Sequence, residues 1–258
     1  YIDDIPLPKN CLHGALVLSD TASGTITSMD LKDVKKLDFS SQIITAKDIP
    51  GKNDIAPIFS DEPILADKEV TYVGQPIALV LASTMEKARL AARKVKTEIK
   101  ENKNPILDLK TAFKRKSFFL KPILLERGKA IEKINTSDCQ LEGSFSIGGQ
   151  DHFYLETHIA LSIPKENNEY TIWSSTQHPT EIQHGVSNVL EIPSAKISSK
   201  VRRLGGGFGG KESQSTIYAA IAALGSHVSS KAVKLRLNRH DDMASSGKRH
   251  DFEVKYSA

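Results

Sequence analysis

The sequence has little cysteine, little net charge and no long hydrophobic run. Its two cysteines, Cys11 and Cys139, form no C-x-x-C pair, no zinc pattern and no disulfide framework, so a reducing compartment is expected. No stretch approaches the roughly 18 consecutive apolar residues that a membrane-spanning helix requires. These absences argue against a disulfide-rich secreted domain and against a membrane partner, and they favour a cytoplasmic protein.

The charges nearly balance, with 35 Lys and Arg against 31 Asp and Glu and a formal net charge of +4. So small an excess indicates a nucleic-acid partner only where the charge is concentrated. The densest basic stretch, 114–116, lies close to two phenylalanines but lacks the repeated basic and aromatic pattern of a single-strand-binding groove. We expect a solvated linker there and no nucleic-acid partner.

Hydrophobic periodicity predicts a mixture of strands and helices. Residues 77–82 form a continuous apolar run typical of a buried strand, and 70–73 is rich in strand-favouring residues. The clearest helix follows, where Ser83 and Glu86 fit a capping box and apolar residues recur at helical spacing as far as Ile99. Further strands are expected near 15–18, 42–45, 141–147, 153–163, 170–173, 197–201 and 233–237, and further helices over 179–190 and 217–224.

A glycine-rich segment lies between a predicted strand and a predicted helix. Five of the six residues 205–210 are glycine, and the sixth is Phe208. Glycine permits positive φ angles and a close approach of backbone to ligand, and helix N-termini attract anionic or oxygen-rich groups. A purely structural turn rarely needs five glycines around one large apolar residue. The segment therefore predicts a loop that cradles a ligand.

This glycine segment matches neither of the two familiar nucleotide motifs. Its glycine spacing and Lys211 fit a Walker A loop, but Glu212 replaces the Ser or Thr that binds Mg²⁺ and would repel phosphate. A dinucleotide fingerprint also requires an acidic residue about 20 positions further on, at the end of a second strand. The stretch after Glu212 is an alanine-rich helix instead, and the next acids are Asp241 and Asp242.

Two other polar segments interrupt strand-like surroundings. Gln177 follows a strand and precedes Pro179, and its side-chain amide can donate and accept hydrogen bonds without adding charge, whereas its Ser and Thr neighbours are typical helix caps. His152 and His158 share one face of an uninterrupted strand but would lie about 20 Å apart, too far to share a metal. The histidines are therefore interpreted as structural.

Seven segments together resemble the xanthine dehydrogenase and aldehyde oxidase family. The match runs along essentially the whole chain, and the motifs most resemble those of the molybdenum subunit of bacterial xanthine dehydrogenases. Two departures are small: Leu204 stands where methionine is usual, and Asp151 where glutamate is usual. The segments that carry the resemblance are 1–6, 12–15, 45–51, 72–78, 148–156, 175–179 and 202–212.

The resemblance implies an α+β fold with two parts. Residues 1–110 would form an N-terminal α/β hammerhead domain, 111–136 a linker, and 137–258 the first, incomplete portion of a molybdopterin-binding domain. The sequence begins with Tyr1 rather than Met and ends in a strand-like segment. We therefore expect a fragment of a longer subunit that is inactive alone.

The resemblance also implies a reaction and its partners. The family hydroxylates a carbon beside a ring nitrogen, or an aldehyde carbon, with oxygen from water, using molybdopterin with molybdenum. Electrons leave through 2Fe-2S clusters and FAD on partner chains or domains, in a unit that is expected to dimerise. Xanthine, hypoxanthine or a similar purine-like heterocycle is the expected substrate, which indicates purine catabolism. The alternatives are an aldehyde or other heterocycle as substrate, or a non-catalytic anion-binding module.

The resemblance assigns roles to four residues of this sequence. Gln177 would contact an oxygen ligand of the molybdenum, and Phe208 and Gly209 would place their backbone against the metal centre. Glu212 would bind and orient a purine substrate, since aldehyde-oxidising relatives tend to be apolar at this position. The general base, a second substrate-binding residue and most pterin contacts are expected beyond Ala258.

Overall fold

The computed structural model describes residues 1–56 and 59–258. The chain divides into two compact units, each built from two separate segments. The first unit comprises Tyr1–Lys103 and His152–Gly247, and the second comprises Asn104–Asp151 and Lys248–Ala258. Helices and strands are mixed along the chain, which confirms the predicted α+β class.

Twelve strands and seven α-helices lie within the described residues. The strands are β1 (Leu12–Leu18), β2 (Gly24–Asp30), β3 (Ser41–Thr45), β4 (Glu69–Val70), β5 (Pro76–Ala82), β6 (Lys96–Glu101), β7 (Glu142–Ile147), β8 (Ile159–Pro164), β9 (Tyr170–Ser174), β10 (Ile197–Lys200), β11 (Val233–Arg236) and β12 (Phe252–Ser257). The helices are α1 (Lys32–Lys35), α2 (Met85–Lys94), α3 (Leu109–Lys114), α4 (Ala130–Asn135), α5 (Pro179–Leu190), α6 (Gln214–Ser229) and α7 (Arg239–Ser245).

A seven-stranded mixed sheet organises the first unit. Its strand order is β10-β9-β8-β11-β1-β5-β3, with β1 parallel to β11 and β9 parallel to β10. All seven residues of β5 are buried, as its continuous apolar run predicts. A separate three-stranded sheet has the order β4-β2-β6. The larger sheet ends near the glycine-rich segment, because β10 leads directly into it.

Helix α6 is the most deeply buried helix of the first unit and follows the glycine-rich segment. Its residues from Ser215 to Ser226 are all buried, and alanines keep the helix thin enough to pack against β8 and α5. Gly185 of α5 lies against Thr216 of α6, where a Cβ atom on the glycine would overlap the threonine methyl group. The tight contact between α5 and α6 therefore fixes the helix that begins beside the predicted ligand loop.

The predicted helix after β5 needs two corrections, and the predicted strand before β5 needs one. Thr84, and not Ser83, caps α2, since its hydroxyl accepts a hydrogen bond from the Lys87 amide. The helix ends at Lys94, and Ile99 belongs to β6, where it is half-buried between two exposed neighbours. The apolar pattern of α2 is followed almost directly by that of β6, so the sequence resembles one longer helix. The predicted strand at 70–73 is also shorter, and only Val70 of it lies in β4.

The long strand predicted over 153–163 was wrong in its first half. Strand β8 begins only at Ile159, and Phe153 has a positive φ of 47°. The backbone before β8 bonds to other partners instead of a neighbouring strand. The Glu156 N–H donates to the Gly205 carbonyl, and the His158 N–H donates to the carboxylate of Asp242.

The second unit contains α3, α4 and a two-stranded antiparallel sheet of β7 and β12. The strand-like C-terminus is therefore confirmed as a strand. Residues 111–136, the predicted linker, lie in this unit, and many of their apolar side chains are exposed. The seven-stranded sheet of the first unit takes strands from both sides of this segment. The predicted limits 1–110, 111–136 and 137–258 remain a prediction.

Candidate functional site

The glycine loop, residues 205–212, has a backbone that few sequences tolerate. Gly206 and Gly209 have φ angles of 89° and 90°, which are in the region that glycine favours. Phe208 also has a positive φ, 54°, and 73% of its surface is exposed. A large residue held with positive φ and little burial is strained, and such strain clusters at ligand sites. The loop therefore presents Phe208 outward at the cost of local strain.

Gln177 is bound to the glycine loop through its side chain. Its Oε1 atom accepts hydrogen bonds from the backbone N–H of Gly209 at 3.0 Å and of Lys211 at 3.2 Å. Its own N–H donates to the carbonyl of Lys211 at 2.8 Å. Gly207 lies so close that a Cβ atom there would overlap the Gln177 amide. The loop conformation and the amide orientation therefore depend on each other.

The oxygen of the Gln177 amide is hydrogen-bonded within the protein, and its nitrogen is available to another partner. Two backbone donors at Oε1 fix which end of the amide is oxygen, because a nitrogen there could not accept them. Within residues 1–56 and 59–258, the Nε2 group donates to no protein acceptor, and the residue is exposed. The geometry therefore leaves an N–H donor of Gln177 available to an acceptor outside the described chain.

A buried polar cluster lies against the loop and contains Lys211, which has no exposed surface. Its ammonium group donates to the Glu156 carbonyl at 2.5 Å and to the Ser175 hydroxyl at 2.6 Å. The carboxylate of Glu156 accepts from Ser175 at 2.7 Å and from the Gly205 N–H at 2.8 Å. Burial lowers the pKa of Lys211 to about 8, although the nearby charges of Glu156 and Asp242 favour the protonated form.

A second buried group surrounds His158 and Asp242. One carboxylate oxygen of Asp242 accepts from the Tyr154 hydroxyl at 2.8 Å, and the other lies 3.0 Å from Nδ1 of His158. Burial lowers the pKa of His158, and hydrogen bonds from His158 and Tyr154 outweigh burial and lower the pKa of Asp242. Helix α7, which carries Asp242, is thereby tied to the irregular segment before β8.

Glu212 lies at the end of the glycine loop and is exposed. Within the described residues its carboxylate makes no hydrogen bond or ion pair with the protein, in contrast to Glu156. A free carboxylate on the same loop as Phe208 and Gly209 can bind a hydrogen-bond donor from outside. It is also placed where a nucleotide phosphate would be repelled, which agrees with the departure from the Walker A pattern.

The structure brings the sequence-predicted residues to one loop and one strand end. Gln177 and Gly209 are hydrogen-bonded, Phe208 is adjacent, and Glu212 follows within the same loop. Sequence reasoning did not identify Glu156 or the buried side-chain contacts of the lysine. The available signal is Lys211, which directly follows the glycine segment, but it is interpreted from the sequence only as a candidate phosphate ligand. His152 lies against Gly210, where a Cβ atom would overlap its ring, whereas the fully buried His158 contacts the carboxylate of Asp242.

Two family descriptions match this chain. Residues 1–103 match the aldehyde oxidase and xanthine dehydrogenase a/b hammerhead domain, and residues 113–258 match the molybdopterin cofactor-binding domain. The chain belongs to the xanthine dehydrogenase and aldehyde oxidase family. It therefore carries the hammerhead domain and molybdopterin-binding sequence that the motifs predicted.

Curated relatives cover the whole chain but are much longer. The xanthine dehydrogenase/oxidase of Mus musculus is 39% identical over 257 residues, which is 99% of this chain and 19% of the relative. Aldehyde oxidase 2 of Macaca fascicularis is also 39% identical over 257 residues, with the same coverage. The chain thus spans about a fifth of the length of the curated relatives it matches.

Solved structures support the fold. The quinoline 2-oxidoreductase from Pseudomonas putida 86 superposes with a TM-score of 0.85 at 22% identity, covering 100% of this chain and 34% of that chain. Across the described residues, no helix combines the length and apolarity needed to cross a bilayer. In that same part of the chain, no three His, Cys, Asp or Glu side chains are grouped as metal ligands.

Proposed function

We propose that this chain forms one wall of the active site of a molybdenum hydroxylase. The enzyme would hydroxylate xanthine, hypoxanthine or a similar N-heterocycle, with oxygen from water, and pass electrons to 2Fe-2S clusters and FAD on partner chains or domains. The observation that carries this proposal is the amide of Gln177. The glycine loop satisfies its oxygen and leaves its N–H donors at the exposed surface beside Gly209.

The residues present fit a molybdopterin group with molybdenum. An anionic, oxygen-bearing group requires hydrogen-bond donors without a competing negative charge, and the Gln177 amide supplies such a donor. Gly209 carries no side chain, and the nearest atom to its Cβ position is Nε2 of His152 at 4.0 Å, so the backbone beside Phe208 can approach a large group closely. Gln177, Phe208 and Gly209 would hold the group, and Gln177 and Phe208 would be the residues nearest its metal. When bound, the group would supply the two-electron oxidation of the substrate carbon.

Glu212 would orient the substrate in this proposal. Its carboxylate is exposed on the same loop and can accept hydrogen bonds from the ring N–H groups of a purine. The negative charge of this carboxylate would also favour the protonated form of a ring nitrogen beside it. The carboxylate therefore favours purine-like heterocycles over aldehydes.

The remaining parts of the proposal concern the whole enzyme. The rest of the molybdenum subunit would supply the general base, a second substrate-binding residue and most pterin contacts. The iron–sulfur and FAD partners would complete the route for electrons, and the assembled unit would be a cytoplasmic dimer that functions in purine catabolism. The length of the curated relatives supports the expectation of further protein around this chain.

A second candidate has an observation in its favour. Aldehyde oxidase 2 is as similar to this chain as the xanthine dehydrogenase/oxidase, at 39% identity. An aldehyde substrate would need no purine-binding carboxylate. The aldehyde alternative therefore predicts that Glu212 is dispensable for turnover, whereas the purine proposal predicts that it is required.

The proposal is tested on the full-length protein with its partners. Elemental analysis should find molybdenum, and incubation with xanthine in ¹⁸O-labelled water should place the label in the product. Gln177→Ala should lower kcat by about 10²-fold, as expected for loss of one preorganised donor. Molybdenum-free protein that still binds inorganic anions would favour a non-catalytic anion-binding module and overturn the proposal.

A further inference from the structure

Lys211 is a charged side chain with no exposed surface and a complete set of partners. Its ammonium group donates to the Glu156 carbonyl and the Ser175 hydroxyl, and lies 3.5 Å from the Glu156 carboxylate. The ring of Tyr154 covers it, with the ring centre 4.5 Å away. Burying an ammonium group is costly, so a fold keeps one only where its contacts compensate.

The main chain of Lys211 contacts Gln177 twice. Its N–H donates to the Gln177 Oε1 atom at 3.2 Å, and its carbonyl accepts from the Gln177 N–H at 2.8 Å. The same carbonyl accepts from the hydroxyls of Thr176 at 3.2 Å and Ser215 at 3.0 Å. Any shift of Lys211 therefore moves the group that orients the Gln177 amide.

Glu156 holds the other end of the glycine loop. Its carboxylate accepts from the Gly205 N–H at 2.8 Å, and its own N–H donates to the Gly205 carbonyl at 3.0 Å. Gly205 begins the loop and Lys211 lies near its end. The contact between the fully buried Lys211 ammonium group and the half-buried Glu156 therefore joins the two ends of the loop through an ion pair.

We propose that Lys211 and Glu156 are positioning residues that hold the glycine loop closed and the Gln177 amide in its orientation. The effect on catalysis rests on the proposed function. The effect on the conformation of the loop does not depend on it. Ser175 relays the contact, because it accepts from Lys211 and donates to Glu156. Neither positioning residue needs to contact the substrate or the cofactor, since both act through the loop and Gln177.

The test compares two buried lysines of the first unit in the full-length protein. Lys211→Met removes the ammonium group and keeps much of the side-chain volume. Lys234→Met is the matched control, because Lys234 is 8% exposed and pairs with Asp3 at 2.6 Å. Amide hydrogen exchange of the cofactor-free protein then reports on the N–H groups of Gly205, Gly209 and Lys211.

These amides should exchange at least about tenfold faster in Lys211→Met, because their acceptors on Glu156 and Gln177 are no longer held in place by the Lys211 ammonium group. The same amides should change less than about twofold in Lys234→Met. Equal loop protection in the wild type and Lys211→Met would overturn the proposal. Since this readout needs no cofactor, it stands whether or not the enzyme contains molybdenum.

A second variant guards against failure of Lys211→Met to fold. Glu156→Gln keeps the shape and one acceptor for Gly205 but removes the charge that faces Lys211, so loop exchange should rise at least about threefold. No change in Glu156→Gln would overturn the proposal by itself. In the full-length enzyme with its cofactors bound, kcat should fall in Lys211→Met and in Glu156→Gln, while KM for xanthine changes little. A rise in KM alone would contradict a positioning role through Gln177.

Discussion

At the scale of single residues, the oxygen and the nitrogen of the Gln177 amide have different roles. Its oxygen belongs to the fold, because Gly209 and Lys211 both donate to it. Its nitrogen is available for chemistry outside the described chain. A side chain used in this way cannot be exchanged for glutamate, since a carboxylate would place an acceptor where a donor is needed.

The substrate preference is tested at Glu212. Glu212→Val should lower kcat/KM for xanthine by about 10²-fold or more, because the variant loses the carboxylate that accepts hydrogen bonds from the ring N–H groups and orients the ring. Turnover of a small aldehyde should change far less. Steady-state kinetics of the full-length enzyme with both substrates measure this difference.

Glu169→Val serves as the control for this change, since Glu169 is also an exposed glutamate of the first unit but lies between Glu166–Asn168 and β9. The control should retain the xanthine kinetics of the wild type. Undiminished xanthine turnover in Glu212→Val would contradict the purine-orienting role and support the aldehyde alternative.

The candidate site was predictable from the sequence only where residues are adjacent or form a known motif. The glycine loop, Phe208 and Glu212 are contiguous. Gln177 was indicated by its amide chemistry at a strand end, and only its role beside the metal came from the resemblance. The Lys211–Glu156 contact spans a separation of 55 residues and depends on the irregular backbone before β8. The sequence suggested a strand there, so the contact could not be foreseen.

At the scale of single elements, α2 provides a test of the corrected helix boundary. The Thr84 hydroxyl accepts from the Lys87 N–H at 3.2 Å, whereas Ser83 is exposed and precedes the cap. Thr84→Ala should destabilise the protein by about 0.5–2 kcal/mol, because a helix N–H loses its acceptor.

Ser83→Ala is the matched control and should change the free energy of unfolding by less than about 0.5 kcal/mol. Denaturant unfolding followed by circular dichroism measures both variants. A larger loss in Ser83→Ala than in Thr84→Ala would mean that the sequence-predicted capping box is correct and the structural assignment is wrong.

Elements with strong patterns were predicted best. The buried run of β5, the amphipathic helix α5 and the strand β11 all lie where periodicity placed them. Hydrophobic burial dominates these elements, so local sequence is sufficient. Helix α7 was not predicted, because its capping Asn238 and short polar sequence carry little periodicity, and its position depends on Asp242 bonding to distant residues.

At the scale of the whole molecule, the predicted site is one-sided. Phe208, Gln177 and Glu212 are exposed, whereas small-molecule sites bury most of the ligand surface. In the proposed enzyme, the described residues would therefore provide one wall of such a site, and further protein would have to provide the others. This agrees with relatives of which the chain covers 19%.

The chain of residues 1–258 alone should therefore neither retain molybdenum nor oxidise xanthine. Purified chain mixed with molybdopterin from a donor enzyme should show metal below the detection limit of elemental analysis, and no xanthine-dependent reduction of an added electron acceptor. The full-length protein, prepared in parallel, is the positive control. Significant xanthine oxidation by the chain alone would contradict the one-sided site.

The pairing of β1 with β11 also has a consequence for biosynthesis. Leu12 lies beside Val233, so β1 leaves the ribosome long before its parallel neighbour exists. At a synthesis rate of roughly 5–20 residues per second, this edge of β1 stays open for about 10–45 seconds. An open apolar edge can pair with other nascent chains. We therefore expect chaperones to protect β1 during translation, until β11 has been synthesised and can pair with it.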